Sequence, residues 1–167
     1  MMKKNKGFTL IELMVVVVIL GILAVVVAPR IPDLVKKAKE GATKGSLSTL
    51  RSTLNIYYSD TEGLYPATVW AYTDNNDPNG TESTVLADAL VPKYIKAIPA
   101  VKIPTAHSID SNKVFVYEDL PTGAPDEGGS GTNYGWGYGS EYGSPSYGNI
   151  IVHCAHTDTG GNYWYSY

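Results

Sequence analysis

Cysteine is nearly absent. Cys154 stands alone among 167 residues, so no disulfide can form within the chain and the fold must hold without one. Charge is sparse as well: 17% of residues are Asp, Glu, Lys or Arg, and the formal net charge is −3. Removing Lys3, Lys4 and Lys6 takes the basic count from 13 to 10 against 16 acidic residues, a net of −6. A nucleic-acid-binding surface is therefore not expected. The basic residues that remain gather at Arg30, Lys36, Lys37, Lys39, Lys44 and Arg51, a cluster suited to lipid headgroups or a neighbouring chain. No Ser-His-Asp spacing, phosphate loop or convincing carboxylate pair is present, so the sequence does not read as an enzyme. Its length allows one modest domain plus an anchor.

One feature is abundant where the rest is scarce. The chain opens MMKKNKGFTLIELMVVVVILGILAVVVAPR, a short basic leader followed by an apolar run from Phe8 to Ala28. A run of about 20 residues matches the ~30 Å hydrocarbon core as a helix. It is longer than the apolar core of an ordinary signal peptide, about 7–15 residues. The leader lysines predict a cytoplasmic N-terminus with the remainder sent outward. Glu12 is the single charge in the run, and an ionised carboxylate there costs about 2.5 kcal/mol or more unless it finds a partner. Cleavage after Gly7 would supply one: the new Phe8 ammonium lies at the i, i+4 spacing from Glu12. Across two staggered chains the same pair would dock one subunit on another.

The stretch Lys6-Gly7-Phe8-Thr9-Leu10-Ile11-Glu12 resembles the processing signal of type IV pilins and type II secretion pseudopilins. The resemblance implies cleavage between Gly7 and Phe8 by a prepilin peptidase, N-methylation of Phe8, and an assembly role for Glu12. Gly21 and Pro29 fall where many such proteins have a helix-softening glycine and a kink-forming proline. It further implies an inner-membrane subunit, with its C-terminal part outside, lifted by an assembly platform into a homopolymeric filament. That filament would be a periplasmic pseudopilus or an extracellular pilus. Many type IVa pilins close a C-terminal loop with a disulfide, and the lone Cys154 departs from that pattern.

The expected fold is α+β and pilin-like: a long N-terminal helix packed on a small antiparallel sheet. Its parts are a leader (1–7), a membrane or filament-core helix (8–29), an amphipathic half (30–60) and a head (61–167). Ile31, Leu34, Val35, Ala38 and Ala42, then Leu47, Leu50, Leu54, Tyr57 and Tyr58, recur at helical spacing. Gly41 and Gly45 read as a soft point in that helix or, by their small-xxx-small spacing, as a place of close helix–helix approach, and Gly63 as its left-handed cap. Asn79-Gly80-Thr81 matches a glycosylation sequon. A short helix is expected over Thr84–Leu90, halted by Pro92. The spacing of Tyr65-Pro66, Leu90-Val91-Pro92 and Tyr94-Ile95…Ile98-Pro99 resembles the αβ-loop of major pseudopilins. Strands are expected at Lys113–Glu118, Asn149–His156 and Asn162–Tyr167, the last two as a hairpin. Pro121–Gly148, dense in Gly, Tyr and Ser, reads as a surface loop, too glycine-rich for a core. An alternative function follows from it: a monomeric, membrane-tethered adhesion module that uses those tyrosines.

His153-Cys154-Ala155-His156 is the one metal-like cluster. Strand alternation would send His153 and His156 to opposite faces and leave Cys154 as a small buried hydrophobe. His107 is the only other histidine, so neither a metal nor a cofactor is assigned. Asp126, Glu127 and Asp158 offer carboxylates, but calcium takes six to eight oxygens, and calcium too is left unassigned.

Overall fold

A computed structural model describes residues 7–67, 81–125 and 133–167. The leader lysines, Asn79 and Gly80 of the sequon, and Asp126 and Glu127 lie outside the described residues. The chain divides into two compact units, one ending at Val35 and one spanning Lys36–Tyr167.

The first unit is built on α1 (Leu10–Val27). Thr9 caps it: the Glu12 amide donates to Thr9 Oγ1 at 3.3 Å, and the Thr9 amide donates back to Glu12 Oε2 at 2.8 Å. This reciprocal box satisfies two of the first-turn amides that a helix leaves without an internal partner. Beyond Glu12 the helix is apolar on every side, the composition of a span in lipid or in a helical bundle. It is long and apolar enough to cross a membrane. Ala28–Arg30 form a 3₁₀ turn, and α2 (Ile31–Asp60) follows. Pro29 lies within that turn, where its missing amide costs an α-helix one hydrogen bond.

In the second unit α2 buries Glu40, Thr43, Leu47, Leu50, Thr53 and Leu54, a stripe at three- and four-residue spacing. Each fully buried leucine contributes about 1.5–3 kcal/mol. The helix stops as expected: the amides of Thr61 and Gly63 donate to Tyr57 and Tyr58 carbonyls, and Gly63 takes φ +95°. A Cβ on Gly41 or Gly45 would meet nothing within 4 Å.

The leucine stripe packs on a sheet of β1 (Thr81–Glu82), β2 (Val114–Tyr117), β3 (Gly135–Gly139) and β4 (Ile150–His153), in that spatial order. A short helix, α3 (Val85–Leu90), adds Leu86 and Leu90 to the same core. The α+β, pilin-like architecture is present, with one difference in the sheet. β1/β2 and β3/β4 are antiparallel, but β2 and β3 run parallel, Val114 opposite Trp136 and Tyr117 opposite Gly139. A parallel pair needs a long crossover, and 17 residues separate Tyr117 from Gly135 in the sequence.

Two expectations are corrected. The Gly/Tyr-rich stretch is not all surface loop, because GWGYG is an inner strand of the sheet and every residue of it is buried. Alternation sends Trp136 and Tyr138 to the core, where Trp136 Nε1 donates to the Pro99 carbonyl and Tyr138 Oη to that of Pro66, each at 2.7 Å. The glycines occupy the other face, and backbone presses against it. A Cβ on Gly139 would sit 2.3 Å from the Ser146 carbonyl oxygen, and one on Gly135 would sit 2.4 Å from that of Lys113. The second correction concerns Asn162–Tyr167, which is no hairpin strand. One bridge, Thr157 to Tyr163, forms before a 3₁₀ turn over Trp164–Ser166. Asp158 Oδ1 accepts from the Gly160 and Asn162 amides at 2.8 and 2.9 Å, which tightens the turn. Trp164 then drops into the core, where an extended strand would have carried the chain past it.

Candidate functional site

The first helical turn of α1 gathers the residues that the sequence singled out. Gly7 and Phe8 precede the Thr9 cap, and Phe8 is 93% exposed. Glu12 accepts from both the amide and the hydroxyl of Thr9, each at 2.8 Å. Thr9 therefore supplies the donors, and Phe8 carries an ordinary peptide N–H. The box also fixes where the carboxylate sits, one turn from the Gly7–Phe8 peptide bond, so a charge created at Phe8 would appear beside it. Gly21 lies mid-helix, and a Cβ there would meet nothing within 4 Å.

In the second unit the functional polar groups cluster where α2 meets the C-terminal turn. Glu40, though buried, accepts from the Thr159 amide at 2.9 Å and the Thr159 hydroxyl at 2.6 Å. Lys44 Nζ donates to Asp158 Oδ2 at 2.8 Å and to Tyr167 Oη at 2.6 Å, and Tyr167 Oη donates to the same carboxylate oxygen at 2.6 Å. Arg51 reaches the Ile150 carbonyl at 3.0 Å and also the Tyr167 carbonyl. The Lys44 ammonium, then the Tyr167 hydroxyl, hold the Asp158 carboxyl well below the usual carboxylate range. Lys44 is raised in turn, first by Asp158 and then by Tyr167. Asp158 is thereby committed to a lysine and a turn, and the basic cluster around α2 is partly a device for docking the C-terminal loop.

The tyrosines of the Gly/Tyr-rich stretch are mostly interior. Tyr134 and Tyr138 are buried and Tyr147 is half-buried; Tyr142 alone among them is largely exposed, at 75%.

His153 and His156 do separate, but not by strand alternation. β4 ends at His153, whose Nδ1 lies 2.6 Å from Tyr117 Oη. Cys154 is buried in the core as expected. After it the chain turns, bringing His156 Nδ1 to 3.5 Å from Cys154 Sγ, while His107 Nε2 lies 3.6 Å from the same sulfur. His107 comes from a loop 47 positions away, a separation that hides the cluster from any local sequence pattern.

Comparison with known proteins bears on the N-terminal turn first. Residues 2–28 match the family model described as the prokaryotic N-terminal methylation motif. The type II secretion system core protein G of Pseudomonas aeruginosa is 44% identical over 66 residues, 40% of this chain and 46% of that protein. Its namesake from Escherichia coli K12 is 35% identical over 105 residues, 58% of this chain and 66% of that protein. The fimbrial protein EcpC of Eikenella corrodens is 40% identical over 63 residues, 38% of this chain and 40% of that protein. The chain thus spans about half to two thirds of the length of the secretion proteins it matches. No solved structure gives a significant match.

Proposed function

We propose, from the premise that the chain belongs to the type IV pilin and pseudopilin family, that it is a structural subunit of a secretion-type pseudopilus. The observation that carries this reading is the methylation motif over residues 2–28, with its one carboxylate boxed beside the Gly7–Phe8 bond. Prepilin peptidase cuts that bond at the cytoplasmic face, Phe8 is methylated, and the freed amine faces Glu12 of an adjoining subunit. Moving Phe8–Ala28 from lipid to a bundle of like helices changes its apolar surroundings little. Close packing and the Phe8–Glu12 charge pair then set the register between subunits. An inner-membrane platform lifts each subunit into the growing filament, and no catalytic step is assigned to the chain. The several relatives named as type II secretion core protein G favour a pseudopilus over a surface pilus.

The tethered adhesion module loses its main support, because Tyr134, Trp136 and Tyr138 are buried in the head. Mass spectrometry of cell-surface shear and envelope fractions tests the assignment. A processed chain that begins at methylated Phe8 and stays with the envelope is the expected result. Abundance in the shear fraction would mean a long extracellular pilus, and an intact leader in both fractions would overturn the filament reading.

A further inference from the structure

We propose that His107, Cys154 and His156 form a zinc-binding site on the head. Each residue offers one ligand atom, and the three atoms lie within 4.8 Å of one another. Zinc takes thiolate sulfur at ~2.3 Å and imidazole nitrogen at ~2.0–2.1 Å in a tetrahedron, which sets the sulfur–nitrogen edge at about 3.5 Å. The two edges here measure 3.6 Å to His107 Nε2 and 3.5 Å to His156 Nδ1. Two edges of the tetrahedral face are thus at zinc length, and the nitrogen–nitrogen edge lies within 4.8 Å.

The surroundings hold the ligands in that geometry. The His107 ring stacks on Tyr134, centroids 3.7 Å apart and planes within 7°, and its amide donates to the Ile103 carbonyl at 2.8 Å. The Trp164 amide donates to the His156 carbonyl at 3.1 Å, fixing the backbone that carries the second imidazole. The His156 amide donates to Cys154 Sγ at 3.4 Å, the kind of outer contact that stabilises a metal-bound thiolate. Cys154 is fully buried, His107 half-buried and His156 exposed, so the fourth position opens to solvent and takes a water.

The donor set selects the metal. One thiolate and two imidazoles suit zinc, whereas calcium and magnesium take oxygen. A blue-copper centre shares this set of two imidazoles and a thiolate and adds a long axial Met, Gln or backbone oxygen; Met1, Met2 and Met14 all lie outside the head, so no methionine there fills that axial place. Binding converts the Cys154 thiol to a zinc thiolate and releases one proton to solvent, so affinity rises with pH. The ion would clip the loop carrying His107 to the exit of β4, a cross-link in a chain that has no disulfide. The site stands independently of the filament reading.

The test uses the full chain in detergent, stripped with chelator and titrated with Zn²⁺ against a chromophoric competitor, and in parallel with Co²⁺. The expected result is one Zn²⁺ and one released proton per chain, and a thiolate-to-cobalt charge-transfer band. Loss of an outer-sphere contact already weakens metal sites by about 10–100-fold. His156→Gln, at an exposed position that leaves the core intact, should therefore weaken Zn²⁺ by more than about 100-fold. Cys154→Ser should do the same and abolish the charge-transfer band. A wild-type chain without stoichiometric Zn²⁺, or either variant keeping wild-type affinity, overturns the proposal.

Discussion

Glu12 and Asp158 are both carboxylates held by designated donors, and each carries a prediction at the scale of one side chain. Glu12→Ala removes the only charge of the apolar run but no apolar surface, so membrane insertion should persist. Interhelical polar contacts contribute about 1–2 kcal/mol, about tenfold in an association constant. Assembled filament should fall at least about tenfold, read by comparing crosslinked multimers with inserted monomer; normal filaments would sink the mechanism. Asp158 has a folded-state pKa depressed by Lys44 and Tyr167. Its contribution is therefore complete above the unfolded value near 3.9 and is lost as pH falls through and below it. Asp158→Asn should lower stability near pH 7 by about 2 kcal/mol, the scale of a hydrogen bond to a charged group. It should also flatten the acid limb of stability against pH, followed by thermal unfolding from pH 7 to pH 3; an unchanged limb would count against it. Glu12 was legible because a lone charge in an apolar run demands a partner. The Lys44–Asp158 pair was not, since nothing local ties two residues 114 positions apart.

Strand β3 is the element where composition misled and periodicity would have served. Glycine is depleted in strands, and three glycines in five residues read as loop. Yet Gly135, Trp136, Gly137, Tyr138 and Gly139 alternate strictly, the period of a strand with one bulky face. Strands β2 and β4 and the Leu47, Leu50 and Leu54 part of the helix stripe followed ordinary rules, but the expected 149–156 strand stops at His153, and Ile31, Leu34, Val35, Ala38 and Ala42 are exposed, with Glu40 and Thr43 buried in their stead. The short C-terminal segment failed because tertiary packing of Trp164 overrode a hairpin pattern. Two substitutions test the role of β3. Gly139→Ala puts a methyl group onto the Ser146 carbonyl and should cost about 1–3 kcal/mol, the range for overpacking. Trp136→Ala empties a fully buried site and should cost about 3–5 kcal/mol. Denaturant midpoints read by circular dichroism decide both; a Gly139→Ala midpoint equal to wild type would mean the strand face is not sterically closed.

For the whole molecule, the core joins residues that leave the ribosome far apart in time. Leu47, Leu50 and Leu54 are made early; Leu86 and Leu90 of the same core follow about 40 residues later, and Trp136, Tyr138, Ile150 and Trp164 roughly one hundred. At about 5–20 residues per second, the helix stripe spends roughly 5–20 s without those last partners. Pairing that spans so much chain is slow to form, and the parallel β2–β3 seam cannot close until the crossover is complete. Chains arrested before Gly135 should be cut readily within residues 36–60 by a protease, while chains that include Trp164 should resist. Resistance in the shorter chains would show that the helix folds alone. The buried tryptophan thus sets a clock: the last part of the cover over the leucine stripe arrives only about one hundred residues after the stripe itself, and until then the core stands open to chaperones, lipid and proteases.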